Sequence, residues 1–265
     1  MLLPNNLIKD LQEIKQSLDW LVIHFNTPAF IEKDPISVPH RFSKKEDIEI
    51  AAFLAATIAW GQRTTILNNA NKLMGLMDNA PYDFVTGHTQ KDLQRLNGFV
   101  HRTFNEVDCI FFIKSLQNIY SRHNGLEGVF NTGFHHDNTV FSALVYFRKL
   151  FFETEHQYRS EKHISDVTKG AAAKRINMFL RWMVRQDKCG VDFGIWRNIP
   201  ASALMLPLDV HTANSARQLG LLVRTQNDWK AVEEIMSVLR KFDPHDPVKY
   251  DFALFGDSIE KIFLK

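Results

Sequence analysis

Only two cysteines, Cys109 and Cys189, occur in the 265 residues. Two isolated cysteines supply neither a four-ligand zinc site nor an iron–sulfur cluster. The expectation is a pair of reduced thiols in a cytoplasmic protein. Charge of one sign is equally scarce, with 32 Lys+Arg against 30 Asp+Glu and a formal net of +2. That excludes the strongly basic balance of a nucleic-acid coat protein, so contact with nucleic acid has to come from a local patch. No run of about 18 apolar residues exists, which excludes a helical membrane span. The opening stretch MLLPNNLIKDLQEIKQ lacks the apolar core of a signal peptide. No segment alternates at period two over several strands, and no internal repeat or glycine-rich nucleotide loop occurs. His135, His136, His156 and His163 lack the HxxxH or HExxH spacing of helical metal ligands. Neither a metal nor another cofactor is expected.

What is present is helical periodicity. Leu7, Leu11, Ile14, Leu18, Leu21, Val22 and Phe25 recur at helical spacing over residues 7 to 25. Pro28, Pro35 and Pro39 predict an irregular connector over residues 26 to 43. Ser43 with Glu46 reads as a capping box for a helix that runs through Ile58. That helix is apolar nearly all round, so it is expected at the centre of the core. Further helices are predicted over residues 65 to 77, 106 to 122, 138 to 152 and 228 to 241, with short helical turns over 82 to 98. Asn124-Gly125 reads as a stop. Phe141, Tyr146, Phe147, Phe151 and Phe152 read as core residues. Asp243-Pro244 and Asp246-Pro247 place caps and helix-opening prolines before a last helix. The hydrophobic fraction of 45% supports a sizeable core. The reading is an all-α fold of about ten helices, as one large domain or two lobes around a cleft. Residues 1 to 44 are expected to pack on a core formed by residues 45 to 265.

Two residues carry the functional argument. Ala172, Ile176, Phe179 and Met183 mark an amphipathic helix, with Ala173, Leu180 and Val184 widening its stripe. Lys174 opens it, and Lys174, Met178, Arg181 and Arg185 form a basic edge. Lys169 and Gly170 come just before. A glycine there lets a turn approach a phosphate, and a helix N-terminus offers unpaired N–H groups to an anion. A second helix begins after Pro207, with Asp209 at the N-cap and Gly220 at C′. By residue type alone, Lys174 is a solvated helix lysine and Asp209 a structural cap.

A helix-opening lysine after a glycine-containing turn, followed by Pro-x-Asp-Val-His at a helix start, resembles the helix-hairpin-helix DNA glycosylase superfamily. Residues 50 to 65 resemble its first core helix and the polar turn after it. Leu96-Asn97-Gly98-Phe99 with His101-Arg102, and Phe252-Ala253-Leu254-Phe255-Gly256, resemble two further elements. The likeness spans about residues 45 to 262. It is greatest to a bacterial family of proteins with no established function, and weaker to the archaeal 8-oxoguanine glycosylases. The turn before the lysine departs from the superfamily, with a single glycine where Leu-Pro-Gly-x-Gly is usual. The resemblance implies a two-lobed helical fold with a helix-hairpin-helix element and a cleft between the lobes.

It also implies residue roles. Lys174 would be the Schiff-base nucleophile and Asp209 its assisting carboxylate. Gln62, Arg63, Lys169, Gly170, Arg175 and His211 would meet DNA. Asp251, Phe255 and Arg181 would form the base pocket, Asp251 and Phe255 lying four apart on one helix face. The implied activity is excision of a damaged base, an 8-oxoguanine-like purine favoured, with AP-lyase cleavage. The partner is double-stranded DNA, and the protein is expected as a cytoplasmic monomer, with the nucleoid when on DNA. Two alternatives stand beside it: an inactive DNA-binding module of the same fold, and a helical protein-interaction domain. The stretch from 187 to 203, with Trp196 and Arg197, receives no role.

Overall fold

The computed structural model describes residues 11–260, with side chains described as far as Gly256. Helices α1 (Leu11–Phe25) and α2 (Pro28–Ile31) precede two 3-10 turns, Pro35–Ser37 and Pro39–Arg41. Next come α3 (Lys45–Thr57), α4 (Arg63–Leu76), α5 (Pro81–Gly87) and α6 (Gln90–Gln94). A two-residue hairpin follows, β1 (Val100–His101) antiparallel to β2 (Phe104–Asn105). The chain continues through α7 (Glu106–Arg122), α8 (Gly125–Phe134), α9 (Val140–Phe151) and α10 (Lys174–Val184). It ends in α11 (Val210–Gln218), α12 (Trp229–Phe242) and α13 (Tyr250–Glu260). The all-α expectation holds, since the one sheet among the described residues has two strands. Residues 7 to 10 of the first expected helix lie outside the described residues. No described helix is long and apolar enough to cross a membrane.

Helix α3 is the central element, as its all-round apolar pattern predicts. Every residue from Ile48 to Thr57 is buried. The Phe53 ring meets those of Phe112, Phe147, Phe151 and Phe179 at 5.6–5.9 Å. Each such ring contributes about 1.5–3 kcal/mol by leaving water. One carboxylate sits inside this apolar helix. Glu49 accepts hydrogen bonds from Trp196 Nε1 and Tyr120 OH, both at 2.7 Å. Trp196 is 1% exposed, so the stretch from 187 to 203 packs into the core through its tryptophan. Helix α1 packs on α13, which fixes residues 11–25 beside the element that carries Asp251.

Two local expectations are corrected, and a third, the stop at Asn124-Gly125, holds and is extended. Ser43 does not cap α3; the N-cap is Lys44, and no side chain caps it. Tertiary pairing fixes that start instead, because Asp47 accepts the Tyr82 N–H at 2.8 Å and Lys44 reaches Asp83 at 2.9 Å. Asn124-Gly125 stops α7 but also starts α8. Both residues take left-handed φ, 56° and 75°, so the chain reverses without a long loop. The connector over residues 26 to 43 is not irregular throughout, since Asp34 caps a 3-10 turn opened by Pro35.

Candidate active site

Lys174 is aimed by the turn that precedes α10. Asp166 accepts the N–H and hydroxyl of Thr168 at 3.1 and 2.6 Å, closing a 3-10 turn. Gly170 then takes φ +84°, a left-handed conformation that suits glycine. Its carbonyl accepts the Trp229 N–H at 2.9 Å, and Ala171 bridges to Asp228. Ala173 also takes a left-handed conformation, φ 53°, directly before Lys174. An alanine there costs about 1 kcal/mol or more. The surrounding bonds hold that strain and turn the Lys174 side chain toward α11.

Asp209 caps α11, as its position after Pro207 predicts. Its Oδ1 accepts the Thr212 N–H at 2.9 Å, and its Oδ2 lies 2.8 Å from Lys174 Nζ. The cap reading and the pairing therefore both hold, one oxygen each. Side-chain exposures of 34% for Lys174 and 17% for Asp209 leave the pair reachable from solvent. Burial raises the Asp209 carboxyl, but Lys174, the Thr212 N–H and His211 outweigh it and hold the group below its ordinary value. Asp209 therefore stays ionised beside the amine.

The pair lies on the wall of a pocket of about 760 Å³. Arg63, Arg175, His211, Arg181, Asp251 and Phe255 line the same pocket. Gln62, Lys169 and Gly170 are not among its lining residues. Gln62 is the exposed N-cap of α4, and Lys169 is exposed with Asp166 at 3.7 Å. Arg63 sits over the Phe255 ring at 5.7 Å.

The basic edge predicted along α10 is overturned. Arg181 and Arg185 are 3% and 2% exposed. Arg181 pairs with Asp251 and, at 3.2 Å, with Asp192. Arg185 pairs with Asp192, Asp187 and Asp246 at 2.8–2.9 Å. Buried guanidinium groups need such partners, and the stretch after α10 supplies two of the carboxylates. Burial pushes the Asp251 carboxyl up to about 6, against the pull of Arg181. Asp209 and Asp192 add to the effect of burial, while Lys174 joins Arg181 against it. Arg175 is likewise no free phosphate ligand. It donates to the carbonyls of Thr57 and His163 and lies over the Trp60 ring at 4.8 Å. Burial lowers it to about 10, leaving it charged.

Sequence reasoning missed Phe30, Asp34 and Trp60 on this wall. The Asp34-Pro35 dipeptide carried a signal of the same kind as Asp246-Pro247, a cap followed by proline. Both cysteines are free, Cys109 buried and Cys189 exposed. Among the described residues, no three His, Cys, Asp or Glu side chains gather as a metal site would need.

A family model matches residues 34–260, and the chain belongs to that family, described as a protein of unknown function (DUF2400). A family without an assigned function is what the sequence led us to expect. No curated protein and no solved structure matches the chain.

Proposed function

We propose that this pocket is the base-excision site of a DNA glycosylase with AP-lyase activity, on a two-lobed fold of the helix-hairpin-helix type. The observation that carries the reading is the 2.8 Å approach of Lys174 Nζ to Asp209 Oδ2 on the wall of a pocket of about 760 Å³. A base has to leave the stack before it can be cut from its sugar. A pocket of this size, lined by Phe30, Trp60 and Phe255 beside charged groups, suits a flat polar ring.

In this reading Lys174, as the free amine, bonds to C1′ while the C1′–N bond breaks. The base leaves and takes up a proton, and the proton lost by Lys174 passes to solvent at the open face. The nitrogen lone pair then breaks the C1′–O4′ bond, the ring oxygen takes a proton from solvent, and a protonated Schiff base remains. Loss of a proton from C2′ then breaks the C3′–O bond and cuts the strand. Asp209, held ionised, offsets the positive charge that develops on the sugar. Its low carboxyl fits it for that role better than for storing a proton. Arg63 and His211 at the pocket, with Gln62, Lys169 and Gly170 outside it, are the DNA contacts; Arg175 and Arg181 hold the wall. The partner is duplex DNA, met by a cytoplasmic monomer, and an 8-oxoguanine-like purine is the favoured base.

The test is borohydride trapping on duplexes carrying 8-oxoguanine, uracil or an abasic site. We expect an adduct that disappears in Lys174→Gln. Strand cleavage and trapping that persist in Lys174→Gln would overturn the assignment of the nucleophile. A second reading, an inactive DNA-binding module, is favoured by the single-glycine turn and the strained Ala173. It predicts salt-sensitive duplex binding with no excision of any lesion.

A further inference from the structure

The stretch before α3 contributes Phe30, Asp34 and Pro35 to the pocket. Three carboxylates line that pocket: Asp34, Asp209 and Asp251. Asp209 pairs with Lys174 and Asp251 with Arg181. Among the described residues, Asp34 pairs with no cation. Its Oδ1 accepts the Ile36 N–H at 3.1 Å and caps the 3-10 turn. Asp34 is half-buried and lines the pocket, and among the described residues its second oxygen, Oδ2, has no hydrogen-bond donor. Lys174, Arg181 and Arg63 act on it only from a distance, and burial raises the carboxyl in spite of them. A partly desolvated acceptor of this kind gains most from a ligand that brings its own donors.

The ring faces are supplied nearby. Phe30 and Phe255 lie 6.2 Å apart, nearly perpendicular. Phe30 sits on α2, four residues before Asp34, so one short segment brings both an aromatic face and an acceptor.

We infer that Asp34 reads the edge of the ring held in this pocket, accepting hydrogen bonds from a base that presents two adjacent N–H donors. Guanine-type edges do so through N1–H and the exocyclic amine. Adenine and cytosine edges set one donor beside an acceptor, and uracil sets one donor between two acceptors. The inference rests on the glycosylase reading for the ligand being a nucleobase.

Asp34→Asn is the informative variant. Asparagine caps a helical turn about as well as aspartate, so the fold is kept while one acceptor becomes a donor. Three measurements are made on wild type and Asp34→Asn: single-turnover excision of guanine-derived and adenine-derived lesions, borohydride trapping on an abasic site, and calorimetric binding of guanosine and adenosine. We expect the variant to lose about tenfold or more on the guanine-type base and to narrow or reverse the preference. Abasic trapping, where no base is read, should fall by less than excision of the guanine-type base does. An unchanged preference for guanine-type bases in Asp34→Asn overturns the inference. If wild type neither excises nor traps, the glycosylase reading falls and the nucleosides decide. Guanosine binding that is lost in Asp34→Asn then supports Asp34. No guanosine binding to wild type, or equal binding by both proteins, overturns it.

Discussion

Asp209 divides its two oxygens between a helix cap and an amine, and the two functions separate by substitution. Asp209→Asn keeps the cap acceptor toward Thr212 but removes the charge beside Lys174. Stability should change by less than about 1 kcal/mol, read from the urea midpoint. On the proposed glycosylase reading, excision should fall about 100-fold or more, because the charge opposite the developing cation would be lost. A fall in activity that merely tracks stability would count against the electrostatic role. His163 gives a second residue-scale expectation. Its ring packs near Trp60 at 6.0 Å and Phe104 at 5.0 Å. Its Nε2 lies 3.2 Å from Asp108 Oδ2 without the alignment of a hydrogen bond. Burial outweighs the pull of Asp108 and lowers the imidazole to about 4. An unfolded histidine titrates near about 6.5. Between those values the unfolded chain binds the extra proton, so this contribution is present above about pH 6.5 and is lost as pH falls toward 4. The effect amounts to at most about 3 kcal/mol. Asp251, with its raised carboxyl, acts in the opposite sense over an overlapping range, so wild type must be compared with His163→Gln. The variant should show a flatter decline of unfolding free energy from pH 7 to 4.5.

At the scale of elements, the pair α8 and α9 depends on a glycine. A Cβ on Gly133 would meet Tyr146 Cβ at 2.7 Å and Ala143 Cα at 2.9 Å. Helix propensity alone would make Gly133→Ala stabilising by about 1 kcal/mol. Overpacking against a neighbouring helix backbone costs about 1–3 kcal/mol, and here it should win. A lowered denaturation midpoint with unchanged far-UV helicity is the expected result, and a raised midpoint would refute the close approach. The helices themselves were largely legible in the sequence. The 17-residue α7 has the predicted bounds, and α11 starts after the predicted cap. Helix α8 was not legible, because its first residues, Asn124-Gly125, carry the usual signal of a stop. The left-handed pair that ends one helix is also the geometry that reverses the chain into the next.

For the whole molecule, the near-neutral charge makes any DNA contact local. Arg63 stands at the pocket without an ion pair among the described residues, stacked over Phe255. If it meets a phosphate, Arg63→Gln should weaken duplex binding about uniformly across sequences and reduce the slope of log K against log salt by about 1. Fluorescence anisotropy at several salt concentrations reads this directly, and an unchanged slope would remove Arg63 from the interface.

Local sequence determined the helices, the cap at Asp209 and the place of Lys174 at a helix start. These follow from periodicity and from the chemistry of helix ends, which act within a few residues. Only the tertiary structure decided that Lys174 and Asp209 meet, that Arg181 and Arg185 are buried among aspartates, and that Asp34 faces the pocket. These facts depend on packing elements far apart in the chain. A basic residue on a helix looks the same in sequence whether water or a buried carboxylate will surround it.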